Sequence, residues 1–566
     1  MKRLLRRRSV LAALAACLLV AGCSSSGDAA SITVVTDAAV YTVKPARPWA
    51  EAFAYDEAGM IVAVGREADV LARAGDDPEV IDADGNMVLP GFQDTHVHVP
   101  EAGINEGLCF LPADQSLESY EKLAADCATE QPGTGWVRAA GPSLFDLRDT
   151  DELPIDVLDR AIPDRPALIL DDLGHAVWTN SRGLKAARIG PGDPDPQGGI
   201  FHRDRATGRL TGLLLEDAQQ RVRNAAALDG DANYRGLKVA LKQLARNGIT
   251  TVSDAGGFWG QKHPAAWQRA RDEGTLTVRA NNALYVYPSL HFATQVAELE
   301  QRFSNDRGAR LKFDTAKVYV DGILDLGTAA MIEPYDAPVD PRFPSGFNYF
   351  EPGQLRRYVS ALHKIGYRIE FHAIGDAAVR AALDAVEAID GDPAEIAARR
   401  HRITHTYLVD PDDEPRFKEL GVVADFQVGP DSIDTGYHES LSEFIGERAF
   451  DLIPVKSLLD TGAHVSLSSD WDADPLSPFG TIQRALTRET NAVPDVETAI
   501  ALVTIDAAYA LGHDDTTGSI EVGKYADYAV IDQNLLDVEA REIEATKVLL
   551  TVVAGDVTYR QPGFDR

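Results

Sequence analysis

The middle of the chain alternates short apolar runs of strand length with longer stretches whose apolar residues recur every three or four positions, the pattern of parallel βα units. Residues 367–372 predict a strand, Gly375-Asp376 a turn and helix start, and Val379, Leu383, Val386 and Ile389 then fall at helical spacing. Residues 250–254, 316–321, 402–405 and 465–470 read as further strands, and all of them finish in polar or ionisable residues. In a (β/α)8 barrel the carboxyl ends of the strands form the mouth, so such endings fall where chemistry belongs. The flanks have another texture. Residues 32–35 and 60–64 are β-rich runs separated by turns such as Asp84-Gly85, and the same texture returns at 528–532 and 548–553.

The predicted class is therefore α/β. A TIM-like (β/α)8 barrel covers residues 89–515, and a small β-sandwich is assembled from both chain ends, residues 31–88 and 516–566. Residues 111–229 are too long for one βα loop and include the Pro/Gly/Asp-rich stretch 190–196, which reads as an insertion over the barrel mouth. No internal repeat is visible.

The beginning of the chain changes this picture. Residues 1–22 combine a Lys/Arg-rich start, an apolar run short for a bilayer, and small residues, as a secretion signal does. Leu19-Val20-Ala21-Gly22-Cys23 resembles the bacterial lipobox, which implies cleavage before Cys23, lipid on its sulfur, and attachment to a membrane of the cell envelope. Residues 23–30 then form the lipidated cysteine and a flexible tether. The alternative is a plain signal with an incidental cysteine, and Arg7-Arg8 leaves twin-arginine export open as well. Of four cysteines, Cys109 and Cys127 remain in the body, and sequence separation does not decide whether they pair. A net charge of −32 argues against a nucleic-acid partner, since phosphate binding calls for basic surface. Homo-oligomer formation is left open.

Candidate chemistry begins at His96-Val97-His98. On a strand, residues i and i+2 point to one side, so two imidazoles can reach one metal ion, and imidazole suits Zn, Fe, Co or Ni rather than Ca or Mg. Alone, the tripeptide is a weak signal, met more often among surface or core histidines than as a ligand pair. Its company is Lys317, His372, His405 and Asp470, each near the end of a separate strand-like run. This set resembles the binuclear ligand set of the amidohydrolase superfamily. Residues 173–181, 317–322, 372–376, 402–405 and 523–527 resemble its amidohydrolase family 3 branch, which contains N-substituted formamide deformylase and related exported hydrolases.

The resemblance implies that His96, His98 and Asp470 hold a more buried metal, that His372 and His405 hold a second, and that Lys317 bridges them as an N6-carboxylated lysine. The implied cofactor is a pair of divalent ions, Zn foremost, with Fe, Mn, Co or Ni as alternatives. An unmodified ammonium has no lone pair to offer. A structural ion pair of Lys317 with Asp321 or Asp470 is the competing reading. Metal-bound hydroxide would attack the substrate and Asp470 would shuttle its proton, with Asp472 and Asp474 as competitors in the loop beyond. His175, and Trp178 and Asn180 beside it in the insertion, would contact substrate, against a buried structural histidine. Tyr319 and Asp321 are further substrate-side candidates; Asp94 and Asp376 are candidates for orienting ligands. Turn and cap duties compete for these aspartates. Relatives usually carry glutamate before the histidine of strand six, where this chain has Thr404, and the loop 471–474 is placed to set selectivity. The expected activity is hydrolysis of a non-peptide carbon–nitrogen bond, amide, formamide or cyclic amide, in a small molecule. Ester hydrolysis or deamination on the same site, and a lipid-tethered binding protein without turnover, are the alternatives.

Overall fold

The computed structural model describes residues 31–564 apart from Asp149 and Arg307; the expected signal, Cys23 and the expected tether lie outside the described residues. Eight parallel strands form the barrel: β1 (Phe92–Val97), β2 (Ile249–Gly257), β3 (Arg279–Tyr285), β4 (Leu311–Tyr319), β5 (Arg368–Ala373), β6 (Arg402–His405), β7 (Val423–Gln427) and β8 (Val465–Ser468). They follow one another in chain order around the sheet. Just beyond β8, the Asp470 amide donates to His96 O at 2.9 Å, so the last strand closes on the first at the mouth. β5 and the helix Asp376–Glu387 match the expected unit, with Val379, Leu383 and Val386 buried on one helix face. β4 and β8 stop earlier than expected, before Asp321 and Asp470, because those residues turn away into loops.

The chain ends pair as expected. Tyr528–Ile531 lies antiparallel to Met87–Pro90 inside one six-stranded sheet, opposed by a four-stranded sheet drawn from residues 33–82. Val35, Phe53, Val88, Tyr528, Val530 and Leu550 fill the space between them. The chain passes from sandwich to barrel at Gly91, where a Cβ would sit 2.2 Å from the Thr250 side chain. The insertion carries its own six-stranded mixed sheet, from Cys109–Phe110 to Leu210–Glu216, and Cys109 and Cys127 form a disulfide within it. Among the described residues, no helix is long and apolar enough to cross a membrane.

Candidate active site

The ends of β1, β4, β5, β6 and β8 converge at the mouth. Ligand atoms of His96, His98 and Asp470 lie within 4.8 Å of one another. The His372 and His405 rings are 4.3 Å apart, and His405 is 4.9 Å from His96. Lys317 Nζ lies 3.3 Å from His96 Nδ1 and 3.4 Å from Glu370 Oε1, fully buried.

Carboxylates and a carbonyl hold one nitrogen of three of the four rings. Glu370 Oε1 is 2.6 Å from His96 Nδ1 and Glu101 Oε2 is 3.1 Å from His98 Nδ1. An ionised carboxylate only accepts, so both Nδ1 atoms carry a proton and the two Nε2 atoms are the ones left to bind a metal. Those Nε2 atoms lie 3.2 and 3.4 Å from Asp470 Oδ1. His372 is held the other way: its Nε2 faces Gly322 O at 3.3 Å, while its buried Nδ1 has no hydrogen-bond partner. An orphaned imidazole nitrogen beside a second imidazole and a carboxylate is the donor set a divalent transition ion takes, so these residues fit a metal centre.

The electrostatics agree. Burial would raise the Asp470 carboxyl, yet the His96 and His98 rings hold it well below the carboxylate range, a part that a metal ion at their Nε2 atoms would take over. Burial pushes His372 and His405 well below the usual imidazole value, keeping both neutral as ligands must be. Burial also lowers Lys317, opposed by Glu370 and Asp470. His405 and Asp470 sit at φ 74° and 56°, left-handed conformations costly for non-glycine residues.

The insertion roofs a cavity of about 680 Å³ over this centre. His175 lines it, its ring 5.1 Å from that of His372, with Nδ1 2.6 Å from Glu216 Oε2. Tyr319 lines it too, stacked on His372 at 4.3 Å. Asp94 bridges β1 and β8 by accepting the Ser469 amide and hydroxyl at 3.1 and 2.6 Å, so it aligns two ligand-bearing strands rather than a ring.

Four expectations need correction. The Trp178 indole is buried and donates to Pro154 O, and Asn180 caps the helix Ser181–Ala186 while donating to Ile162 O; both build the insertion core rather than touch substrate. Asp321 accepts the amides of Ala330, Ile374 and Gly375, a backbone cradle away from the cavity, and Lys317 pairs with Glu370 instead of with it. Asp376 takes the amides of Ile332 and Ala377 and orients no ligand ring. Thr404, in place of glutamate, donates to the buried Asp425.

Three carboxylates escaped the sequence reading. Glu370 stands two residues before His372 and so on the same side of β5, which period-two reasoning could have found. Glu101 stands one helical turn after His98. Glu216 has no local signature.

A parallel barrel with imidazoles, a buried lysine and a carboxylate at its carboxyl rim is the architecture of metal-dependent hydrolases. The sequence matches the amidohydrolase family over residues 79–559, and the chain belongs to that family. It is 28% identical to N-substituted formamide deformylase of Arthrobacter pascens, across 89% of this chain and 94% of that one. It is 26% identical to the putative amidohydrolase YtcJ of Bacillus subtilis, across 90% and 96%. An uncharacterized metal-dependent hydrolase from Pyrococcus horikoshii shares the fold with a TM-score of 0.70 at 22% identity, covering 90% of this chain and 99% of that one.

Proposed function

We propose that this protein hydrolyses a non-peptide carbon–nitrogen bond, in an amide, formamide or cyclic amide of a small molecule. The observation that carries the reading is the convergence of four imidazoles, Lys317 and Asp470 at one rim, with the lone pairs of His96, His98 and His372 left free by their partners. Similarity to the formamide deformylase along nearly the whole chain supports the choice of bond.

His96, His98 and Asp470 would hold one divalent ion and His372 and His405 a second, Zn being the first candidate. Such ions lower the pKa of bound water to ~7 and polarise a carbonyl. Lys317 would bridge them as the N6-carboxylated side chain; its burial favours the neutral amine from which a carbamate forms. Asp470, ionised at neutral pH, takes the proton of the attacking water and returns it to the leaving nitrogen. His175, anchored by Glu216, directs its other ring nitrogen to the substrate carbonyl, and Tyr319 forms the wall beside it.

Elemental analysis of the purified chain, paired with turnover of formamides, cyclic amides, esters and aminopurines, tests this. About two divalent ions per chain and hydrolysis of the amide set are expected. Metal-free protein with intact amide turnover, or activity confined to esters or deamination, overturns it. We also propose export and lipid anchoring at Cys23, supported by the character of residues 1–23 and by the Cys109–Cys127 disulfide, a bond of oxidising compartments. Cys23→Ala should release the protein from the membrane fraction; retention there would reject the anchor.

A further inference from the structure

The cavity over the metal centre is acidic beyond what the centre requires. Eight carboxylates line it against one guanidinium, Arg223, which is paired with Glu101. Most of the acids are occupied. Glu216 receives His175, Tyr349 and Thr328, and Asp217 receives the Tyr285 hydroxyl at 3.1 Å.

Asp171 differs. It lines the cavity at 7% exposure, its Oδ1 accepts the Ala176 amide at 2.7 Å, and its buried Oδ2 accepts nothing. No Lys or Arg pairs with it among the described residues. Burial, with Asp172 and Glu216 nearby, lifts its carboxyl to about 7, against the Ala176 amide and His175, which pull it down. Capping the turn that carries His175 needs only Oδ1, so the turn does not account for Oδ2. Aromatic walls surround the same space, with Phe258, Tyr285, Tyr319 and Tyr349 lining it. Carboxylates set among aromatic faces are the chemistry that receives an organic ammonium group.

We propose that Asp171 binds a cationic nitrogen on the part of the substrate remote from the scissile bond, so that the enzyme selects amides of amines carrying a second, ammonium group. This rests on the carbon–nitrogen hydrolysis argued above and adds the substrate class.

Metal-loaded full-length protein is assayed with three chain-matched formamides: N-(5-aminopentyl)formamide, N-pentylformamide, and a formamide whose chain ends in carboxylate. Binding of 1,5-diaminopentane and pentylamine is measured in parallel by calorimetry. The aminopentyl substrate should exceed the neutral one in kcat/KM by about tenfold, the scale of one charge-assisted hydrogen bond, with the carboxylate substrate last. The diamine should bind tighter than pentylamine by a similar factor. Asp171→Asn, which keeps an oxygen for the Ala176 amide, should bring both ratios close to one. Equal binding of the two amines by the unaltered protein, or equal turnover of the charged and neutral formamides, overturns the proposal. Tighter diamine binding with no formamide, open-chain amide or cyclic amide turned over would instead reject the hydrolysis reading and leave the cation site standing.

Discussion

Between its sheets the terminal sandwich buries Val35, Phe53, Val88, Tyr528 and Leu550 completely; the barrel mouth buries Lys317, Glu370, His372 and Arg402 just as completely. Apolar burial is non-directional and stabilises in proportion to area, so each sandwich residue contributes nearly on its own. Buried charge gains only through its partners. Glu370 is held below the carboxylate range, against the cost of burial, by Arg402, Lys317 and His96 together. His405 and Asp470 add left-handed backbone at the same rim. One region is built for stability and the other keeps its reactive groups at stability's expense.

The sharpest test is Asp470→Asn in the rim. Loss of the base should lower kcat on the order of 10³-fold, with the metal content of the protein retained, as measured by elemental analysis.

Glu370→Ala comes next. It leaves the Arg402 guanidinium buried without its carboxylate, so a loss of about 3–5 kcal/mol is expected in denaturant unfolding. The His96 Nδ1 partner goes with it, and metal affinity should fall by ~10–100-fold. Phe53→Ala in the sandwich should cost about 3–4 kcal/mol through loss of its edge-on contact with Tyr528 and the cavity left behind. Activity per folded molecule should be unchanged there. A fall in kcat at saturating metal would show that the sandwich supports the rim after all.

How far the sequence reached follows the same division. The barrel and the two-ended sandwich were legible because periodicity and strand-end placement are local signals, and β6 and the strand Val548–Val553 fall where the pattern put them, whereas the six candidate ligands stood out through their likeness to a family pattern. Partners were not. Asp321 looks like a site residue because it follows Lys317 and Tyr319, yet its side chain folds back onto three amides contributed by loops up to 54 residues away. Trp178 and Asn180 share a motif with His175, but the strand Ala176–Trp178 turns the indole into the insertion core while His175, just before it, meets the cavity. Glu216 reaches His175 across 41 residues of chain, through a sheet pairing no local pattern announces.

The smallest expected effect concerns a buried polar group with no part in the metal centre. His263 opens the helix His263–Asp272, and its ring is buried with Nδ1 3.0 Å from Gly256 O, which requires a proton on that nitrogen and suits the neutral ring. Burial lowers it to about 4 from an ordinary 6.5, with Arg223 and His98 adding in the same direction. Between those values the unfolded chain binds the proton that the folded protein refuses, so stability rises with pH across this window and is lost as pH falls from 6.5 towards 4. Its share between pH 7 and pH 5 is about 2 kcal/mol. Asp94, lifted by burial to about 6, works in the opposite sense over the same range, since its folded form takes up protons first. The parent and His263→Asn must therefore be compared in metal-free form, by denaturant unfolding at both pH values. The variant should lose less stability on acidification than the parent. Parallel losses would mean that His263 is not the group whose protonation opposes the fold, and that buried polar groups outside the rim behave as the apolar sandwich does.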